Sequence, residues 1–537
     1  MLLTASPLEG IVAIVTLAVT VHLLRNKYSN GIHHIPGPFF ASFTDLYRLY
    51  LAWTGTTQTH HLRLHEKYGP IVRLGPRTVS INDPDACRTI YGIKSGFTKS
   101  AFYPVQATIA KGQTLQSLFN TRDEGFHARL RRAVASGYAM STLVEFEPLV
   151  ESTITAFLGQ LEERYATQPE GEKKNNEEEK SSKALCDFGQ WLQFYAFDVI
   201  GELTFSKRLG FVERGEDVDG IIGSLEWLLR YAAVIGQLPI LDSLFLKNPL
   251  RLWLSSIGYL NANSPVVKFS QARMQPANRE STITDNRSSK TLPSPPKRRD
   301  FLARFLEAQK KDPEFITTQK VLTLTVTNMF AGSDTTAISL RTIFYNILRN
   351  PDVQQRLRAE LSALRQQQGP VDDAGGGYLK WTLLSEAPYL SAVIKESLRC
   401  HPAVGLLLER IVPATGLRVC GGIDIPSGTI VGCNAWVLHQ NEEIFGPDPG
   451  SFRPARWIDA DKEQRRLMDG ALFSFGAGAR SCIGRNISLL EMYKLVPAVL
   501  ERFQIELADP DRGWKLFNAW FVKQSEFYVT ISRKVAP

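Results

Sequence analysis

The chain has 537 residues, 44% of them hydrophobic and 22% charged, with 62 Lys and Arg against 54 Asp and Glu for a net charge of +8. Those fractions belong to an ordinary globular protein and exclude wholesale disorder, a collagen rod or a coiled coil. A surplus of this size, with no basic block interleaved with aromatics, gives no sign of a nucleic-acid partner.

Leu8 to Leu24 is a 17-residue stretch interrupted only by Glu9, Gly10, Thr16, Thr20 and His22, and its centre, Ile11 to Val19, is uncharged. It is just long enough for a helix to cross a bilayer. Arg25 and Lys27 follow at once, so the positive-inside rule puts the bulk of the chain on the cytosolic side. A cleaved secretory signal is the competing reading, but it lacks a basic n-region before the run and a small-x-small site after it. Ile35-Pro-Gly-Pro38 fixes local φ and removes backbone donors, forming a stiff joint. The expected division is an anchor over 1–24, a proline-containing linker over 25–50 and a single domain over 51–537.

Within the globule, β-like runs with turn residues occur near Ile71–Ile81, Arg410–Val431 and Glu526–Ser532. Residues 169–184 are polar and strongly charged, and residues 275–300 are rich in Ser, Thr, Pro and Arg. Both read as surface insertions, because apolar helical patterning resumes directly after each. Residues 319–349, 351–368, 388–400 and 485–503 carry a 3.6-residue apolar period. The expected fold class is therefore mainly α with small β-sheets, preceded by one transmembrane helix. Six cysteines (Cys87, Cys186, Cys400, Cys420, Cys433 and Cys482) are scattered with no CxxC pair. That pattern argues against a disulfide framework or zinc ribbon and for a reducing compartment.

The strongest local signal is Phe475-Gly-Ala-Gly-Ala-Arg-Ser-Cys-Ile-Gly484. Its glycines permit positive φ and close backbone approach, so the loop can fold around Cys482. A helix begins directly after it, and a cysteine at a helix N-terminus is stabilised as a thiolate by amides and the helix dipole. Arg480 is placed to reach an anion beside a metal held by that sulfur, and Phe475 can shield the sulfur from water. The pattern F-x-x-G-x-R-x-C-x-G resembles the haem-binding loop of the cytochrome P-450 family, whose members hold haem iron by a cysteine thiolate.

Further segments resemble the family in the same order. Glu396-Ser-Leu-Arg399 is similar to its E-x-x-R, two positions on one helix face. Phe452-Arg-Pro-Ala-Arg-Trp457 is similar to the segment that supplies a second arginine, although Ala455 stands for the usual Glu and Trp457 for the usual Phe. The resemblance implies a Glu396–Arg399–Arg456 network. Ala331-Gly-Ser-Asp-Thr-Thr336 is similar to the A-G-x-D/E-T-T of the distal helix. It implies that Ala331 and Gly332 leave room for a flat ring, that Thr335 hydrogen-bonds beside the iron, and that Asp334 relays protons. His127, Arg131, Arg410 and Arg480 fall at positions implied to hold the haem propionates, with His127 replacing the commoner Trp. A basic solvated face is the bland alternative for His127 and Arg131, since Arg129 and Arg132 adjoin them. The texture around Leu408-Glu-Arg-Ile-Val-Pro413 and Phe445-Gly-Pro-Asp448 resembles fungal secondary-metabolism members of the pisatin demethylase-like group.

The resemblance implies the cytochrome P-450 fold and a monooxygenase using haem b. It would insert one oxygen atom from O2 into a hydrophobic small molecule, in secondary-metabolite biosynthesis. NADPH would be used indirectly, through NADPH–cytochrome P-450 reductase, with cytochrome b5 as a second donor. Arg129, Arg132 and Lys494 are the expected basic docking face for the reductase. Membrane lipid would hold the chain at the endoplasmic reticulum, single-pass, with the catalytic domain in the cytosol. A thiolate-haem isomerase or dehydratase, and a haem-binding sensor, are the alternatives. The pocket is expected from residues 97–120, 225–245, the distal helix, Val404–Leu408 and Trp520–Val522.

Overall fold

The computed structural model describes residues 7–166, 185–260, 265–275, 300–369 and 377–534. The expected insertion over 169–184, and all but the two end residues of that over 275–300, lie outside the described residues. An N-terminal helix, Pro7–Tyr28, stands mostly exposed ahead of the globule. Its window from Leu8 to Tyr28 has a mean hydropathy of 1.8 and is long and apolar enough to cross a membrane. The helix runs four residues past the expected end, and its last turn is tied to the globule. Arg73, on the first strand, donates to the carbonyls of Asn26 (2.8 Å) and Lys27 (3.0 Å), while Ile32 and Ile35 are buried in a core cluster.

Helix dominates the rest, as the periodicity required. The four patterned segments form Thr318–Arg349, Pro351–Gln368, Pro388–Cys400 and Arg485–Arg502. The first runs through the middle of the molecule. Thr317 caps it by accepting from the Lys320 amide, and it packs most extensively on Phe188–Phe205, a helix apolar almost all round. Its many hydroxyls do not break it. Thr323, Thr327, Ser333, Thr335, Ser339 and Thr342 each donate to the carbonyl one turn back, which satisfies them inside the core. At Gly332 the two helices nearly touch, since an added Cβ would lie 3.0 Å from the Ile200 side chain.

The sheets are small and peripheral. The largest orders Ile71–Arg73, Thr78–Ile81, Ile430–Gly432, Arg410–Ile411 and Thr98–Lys99, all antiparallel except the pairing of Thr78–Ile81 with Ile430–Gly432. Near the C-terminus Lys515–Ala519 and Phe521–Ser525 form a hairpin whose turn holds Trp520 at φ +77°. That costly conformation is held by a cage of Phe102, Phe119 and Tyr103, with ring centroids 5.1, 5.8 and 6.3 Å away.

Glu396, Arg399 and Arg456 meet in the core. The Arg399 guanidinium forks onto both Glu396 carboxylate oxygens (2.8 and 2.9 Å), and Arg456 Nε donates to Glu396 Oε1 (2.8 Å). The substituted Trp457 joins them, its indole N–H donating to Glu396 Oε2 (2.9 Å). Burial alone would raise the Glu396 carboxyl, but these donors and charges outweigh it and hold the group below the ordinary range. Arg399 also binds the carbonyls of His439, Pro449 and Ser451, so the network fastens the helix to the irregular segment before the cysteine loop.

Candidate active site

The loop from Phe475 to Gly484 is pinned both from within and from outside. Gly476 and Gly478 have φ of +64° and +63°. A Cβ at Gly478 would lie 1.7 Å from the Tyr91 carbonyl oxygen, so only glycine fits there. Gly484, expected to share that freedom, has φ −83° and is the N-cap of Arg485–Arg502. The Cys482 amide donates to the Phe475 carbonyl (2.9 Å), which closes the loop. Burial raises the Cys482 thiol above its ordinary range, opposed by the backbone N–H groups of Gly484 and Arg485 and the charges of Arg131 and Arg485. The residue is exposed only because its sulfur faces an internal cavity.

That cavity has a volume of about 330 Å³. Phe475 and Arg480 line it beside Cys482, and so do Asn328, Ala331, Gly332 and Thr335 from the central helix. Ala331 is exposed and Thr335 half-exposed in the middle of a helix that is otherwise mostly buried, which marks the face turned to the cavity. Gly332 borders the cavity too, but the close contact that its missing side chain allows is with Ile200. The Thr335 hydroxyl donates to the Ala331 carbonyl (2.7 Å) and presents its oxygen lone pairs. Asp334 does not line the cavity. Its carboxylate accepts from Gln193 Nε2 (2.6 Å), whose own oxygen accepts from Arg341 (3.1 Å). Burial pushes the Asp334 carboxyl up, against the charges of Lys523 and Arg341. Lys523 acts on Asp334 from a distance and pairs with the half-exposed Glu226.

One end of the cavity is cationic. His127, Arg131, Arg410 and Arg480 all reach it. Arg131 donates to the Ser481 carbonyl (2.8 Å), Arg410 to the Tyr103 hydroxyl (3.1 Å), and Arg480 to Glu124 (2.7 Å) and the Leu118 carbonyl (3.3 Å). His127 is 3% exposed, so it belongs to the interior and not to a solvated face. Burial and the charges of Arg480 and Lys99 push its pKa down to about 3, leaving a neutral imidazole with one N–H to give. The expected pocket segments contribute Lys99, Tyr103, Phe119, Leu228, Leu229, Ala232, Val404, Leu406, Trp520 and Phe521.

A family model for cytochrome P450 matches residues 36–531. The chain belongs to the cytochrome P450 family. A cytochrome P450 monooxygenase of Aspergillus terreus is 41% identical over 497 residues, spanning 92% of this chain and 94% of its own length. The cytochrome P450 monooxygenase cicH of Emericella nidulans is 38% identical over 516 residues, 96% of each chain. The cytochrome P450 monooxygenase pkfB of the same organism is 36% identical over 530 residues, spanning 98% of this chain and 96% of its own length. This cytochrome P450 is thus a monooxygenase and an oxidoreductase, and its family carries a haem iron. The residues present fit that group. A thiol faces the cavity beside two backbone N–H groups, apolar walls adjoin it, and the cationic side chains of Arg131, Arg410 and Arg480 line the same cavity.

Two features of this P450 depart from expectation or escape it. Lys494 cannot serve in a docking face, because it is 2% exposed and held by Glu147 (2.6 Å), Glu151 (2.7 Å) and the Leu379 carbonyl. Arg129 is exposed but already paired with Asp312 (2.8 Å). The unforeseen residue is His439, which clips the Arg399 carbonyl (2.9 Å) through Nδ1 and accepts the Phe473 amide (2.8 Å) through Nε2. Accepting at Nε2 puts its proton on Nδ1, so a neutral ring joins the buried ion network to the start of the cysteine loop. No local sequence pattern marks it, since its partners are 40 and 34 residues away.

Proposed function

We propose that the chain inserts one oxygen atom from O2 into a hydrophobic small molecule in fungal secondary metabolism. Cys482 would hold the iron of a haem b, with electrons from NADPH delivered by a membrane-bound reductase. The observation that carries this reading is the Cys482 sulfur facing the same cavity as Ala331 and Thr335. The bound haem would supply dioxygen activation, assisted by the electron-rich thiolate. His127, Arg131, Arg410 and Arg480 would hold its propionates by charge-assisted bonds. Phe475 shields the sulfur, and Ala331 leaves a flat ring room against the helix.

The Thr335 oxygen, its proton given to the Ala331 carbonyl, would accept a hydrogen bond from a water and hold it near the reacting atoms. Asp334 would supply protons to it from the outer side of the helix. Its raised carboxyl suits proton exchange better than an ordinary one would. The apolar roof of Phe119, Leu229, Ala232, Leu406 and Trp520 selects a hydrophobic substrate and excludes water.

The N-terminal helix, followed by Arg25 and Lys27, supports a single-pass anchor with the catalytic domain facing the cytosol, at the endoplasmic reticulum. Arg132 is exposed and remains available for the reductase, and cytochrome b5 would be a second donor. Turnover with reductase, NADPH and isotopically labelled dioxygen tests the reaction. One labelled oxygen atom per product molecule is expected. Unlabelled product formed without NADPH consumption would instead identify a haem-thiolate isomerase or dehydratase.

A further inference from the structure

Strand Thr98–Lys99 pairs antiparallel with Arg410–Ile411, and the register sets Lys99 directly across from Arg410. Like charges facing each other across two strands repel. Both side chains are nevertheless buried, at 4% and 5% exposure, and both line the same end of the cavity. Lys99 Nζ donates to the Phe119 carbonyl and lies 4.1 and 4.4 Å from the ring centroids of Tyr103 and Phe119. The adjacent Leu118 carbonyl accepts from Arg480, and the Tyr103 hydroxyl accepts from Arg410. One short segment and one tyrosine thus gather three cations.

The nearby carboxylates are engaged elsewhere. Glu124 is half-exposed and bound to Arg480, while Glu409 accepts from Arg48 and Ser100. Among the described residues no carboxylate pairs with Lys99. Aromatic faces and one carbonyl do not offset a buried ammonium beside two guanidinium groups. Glu124 offsets the repulsion on Lys99 only from a distance, and an anion entering the cavity meets all three cations.

We infer that Lys99 is a further anchor for the haem propionates, closing with Arg410 and Arg480 a three-cation cleft. The inference rests on the reading that a haem occupies the cavity. Burial and the charges of Arg410 and Arg480, only partly opposed by Glu124, hold the Lys99 ammonium well below the ordinary lysine range in the protein alone. An arriving carboxylate reverses that balance. As a propionate anchor Lys99 would orient the haem and take no part in the chemistry, so it is a positioning residue.

The test compares release of hemin and of hemin dimethyl ester, which lacks the propionate charges, from wild-type, Lys99→Met and Lys99→Arg full-length holoproteins to excess apomyoglobin. Lys99→Met is expected to release hemin at least about tenfold faster than wild type. It should release the ester within about twofold of the wild-type ester rate, and Lys99→Arg should restore hemin retention to within about threefold. Equal hemin release by Lys99→Met and wild type overturns the inference, as does an equal acceleration of hemin and ester. Equal hemin release with loss of affinity for acidic ligands alone would assign the cation to a substrate carboxylate instead. Should Lys99→Met not accumulate as holoprotein, Lys99→Gln, which keeps a donor for the Phe119 carbonyl, goes through the same comparison with the same outcomes. Failure of the wild type to take up hemin with a thiolate-type spectrum would be a failure of the family reading and not of the Lys99 assignment.

Discussion

Single residues in this molecule work through what fixes their orientation. Thr335 has its proton committed to the Ala331 carbonyl, so it offers the cavity an acceptor. Thr335→Ala should leave the fold and the carbon monoxide spectrum intact while uncoupling electron use from product. We expect peroxide to account for most of the NADPH consumed, checked by peroxide assay against product yield; unchanged coupling would remove Thr335 from the proton path. His439 is held as a neutral ring between Arg399 and Phe473, with its pKa lowered by burial to about 3. A group whose folded pKa is depressed from 6.5 favours the folded state above that value and loses the contribution as pH falls toward 3, at up to about 1.4 kcal/mol per pH unit. His439→Gln, which keeps a donor and an acceptor, should therefore take up about one proton fewer than wild type on urea unfolding near pH 5. An equal uptake would mean that the ring is already charged in the folded protein.

At the scale of elements, sequence legibility followed the range of the interaction that shapes each one. The helix Thr318–Arg349 was readable from its apolar period, and the cysteine loop from glycine spacing, because both patterns are local. The structure adds why Gly478 is obligatory: its missing Cβ leaves room for the Tyr91 carbonyl, nearly 390 residues earlier in the chain. Contacts of that kind leave no local trace. The pairing of Lys99 with Arg410 depends on strand register across about 310 residues, and the turning of Asp334 toward Gln193 depends on which helix packs beside it. Trp457 illustrates the middle case. The arginine two positions from the proline was visible, but the aromatic change became meaningful only when its indole N–H was seen on Glu396. Lys494 failed as a surface residue for the same reason: its helix periodicity is apolar on most sides, and two glutamates from Glu147–Tyr165 reach it in the interior.

For the whole molecule, the join between the apolar helix and the globule decides what can be removed. Leu8 to Leu24 is largely exposed, whereas the Asn26 and Lys27 carbonyls help satisfy the buried Arg73 guanidinium and Ile32 is fully buried. Deletion through Leu24 should release the chain from membranes with a Tm within a degree or two of the full-length protein. Deletion through Ile32 removes the Asn26, Lys27 and Ile32 carbonyls from Arg73, leaving those of Ser42, Gly75 and Pro76, and opens a cavity, at a cost of about 2–5 kcal/mol, and should lower Tm by several degrees. Equal Tm values for the two truncations in differential scanning calorimetry would show that the join carries no load.

The haem-thiolate reading meets its most direct test in the ferrous–carbon monoxide difference spectrum of the purified, hemin-reconstituted chain. The wild type should give the red-shifted band of thiolate ligation, and Cys482→Ser should lose that band while keeping its far-ultraviolet circular dichroism. A wild-type spectrum of the imidazole type, or a thiolate-type band that survives in Cys482→Ser, would contradict ligation through Cys482.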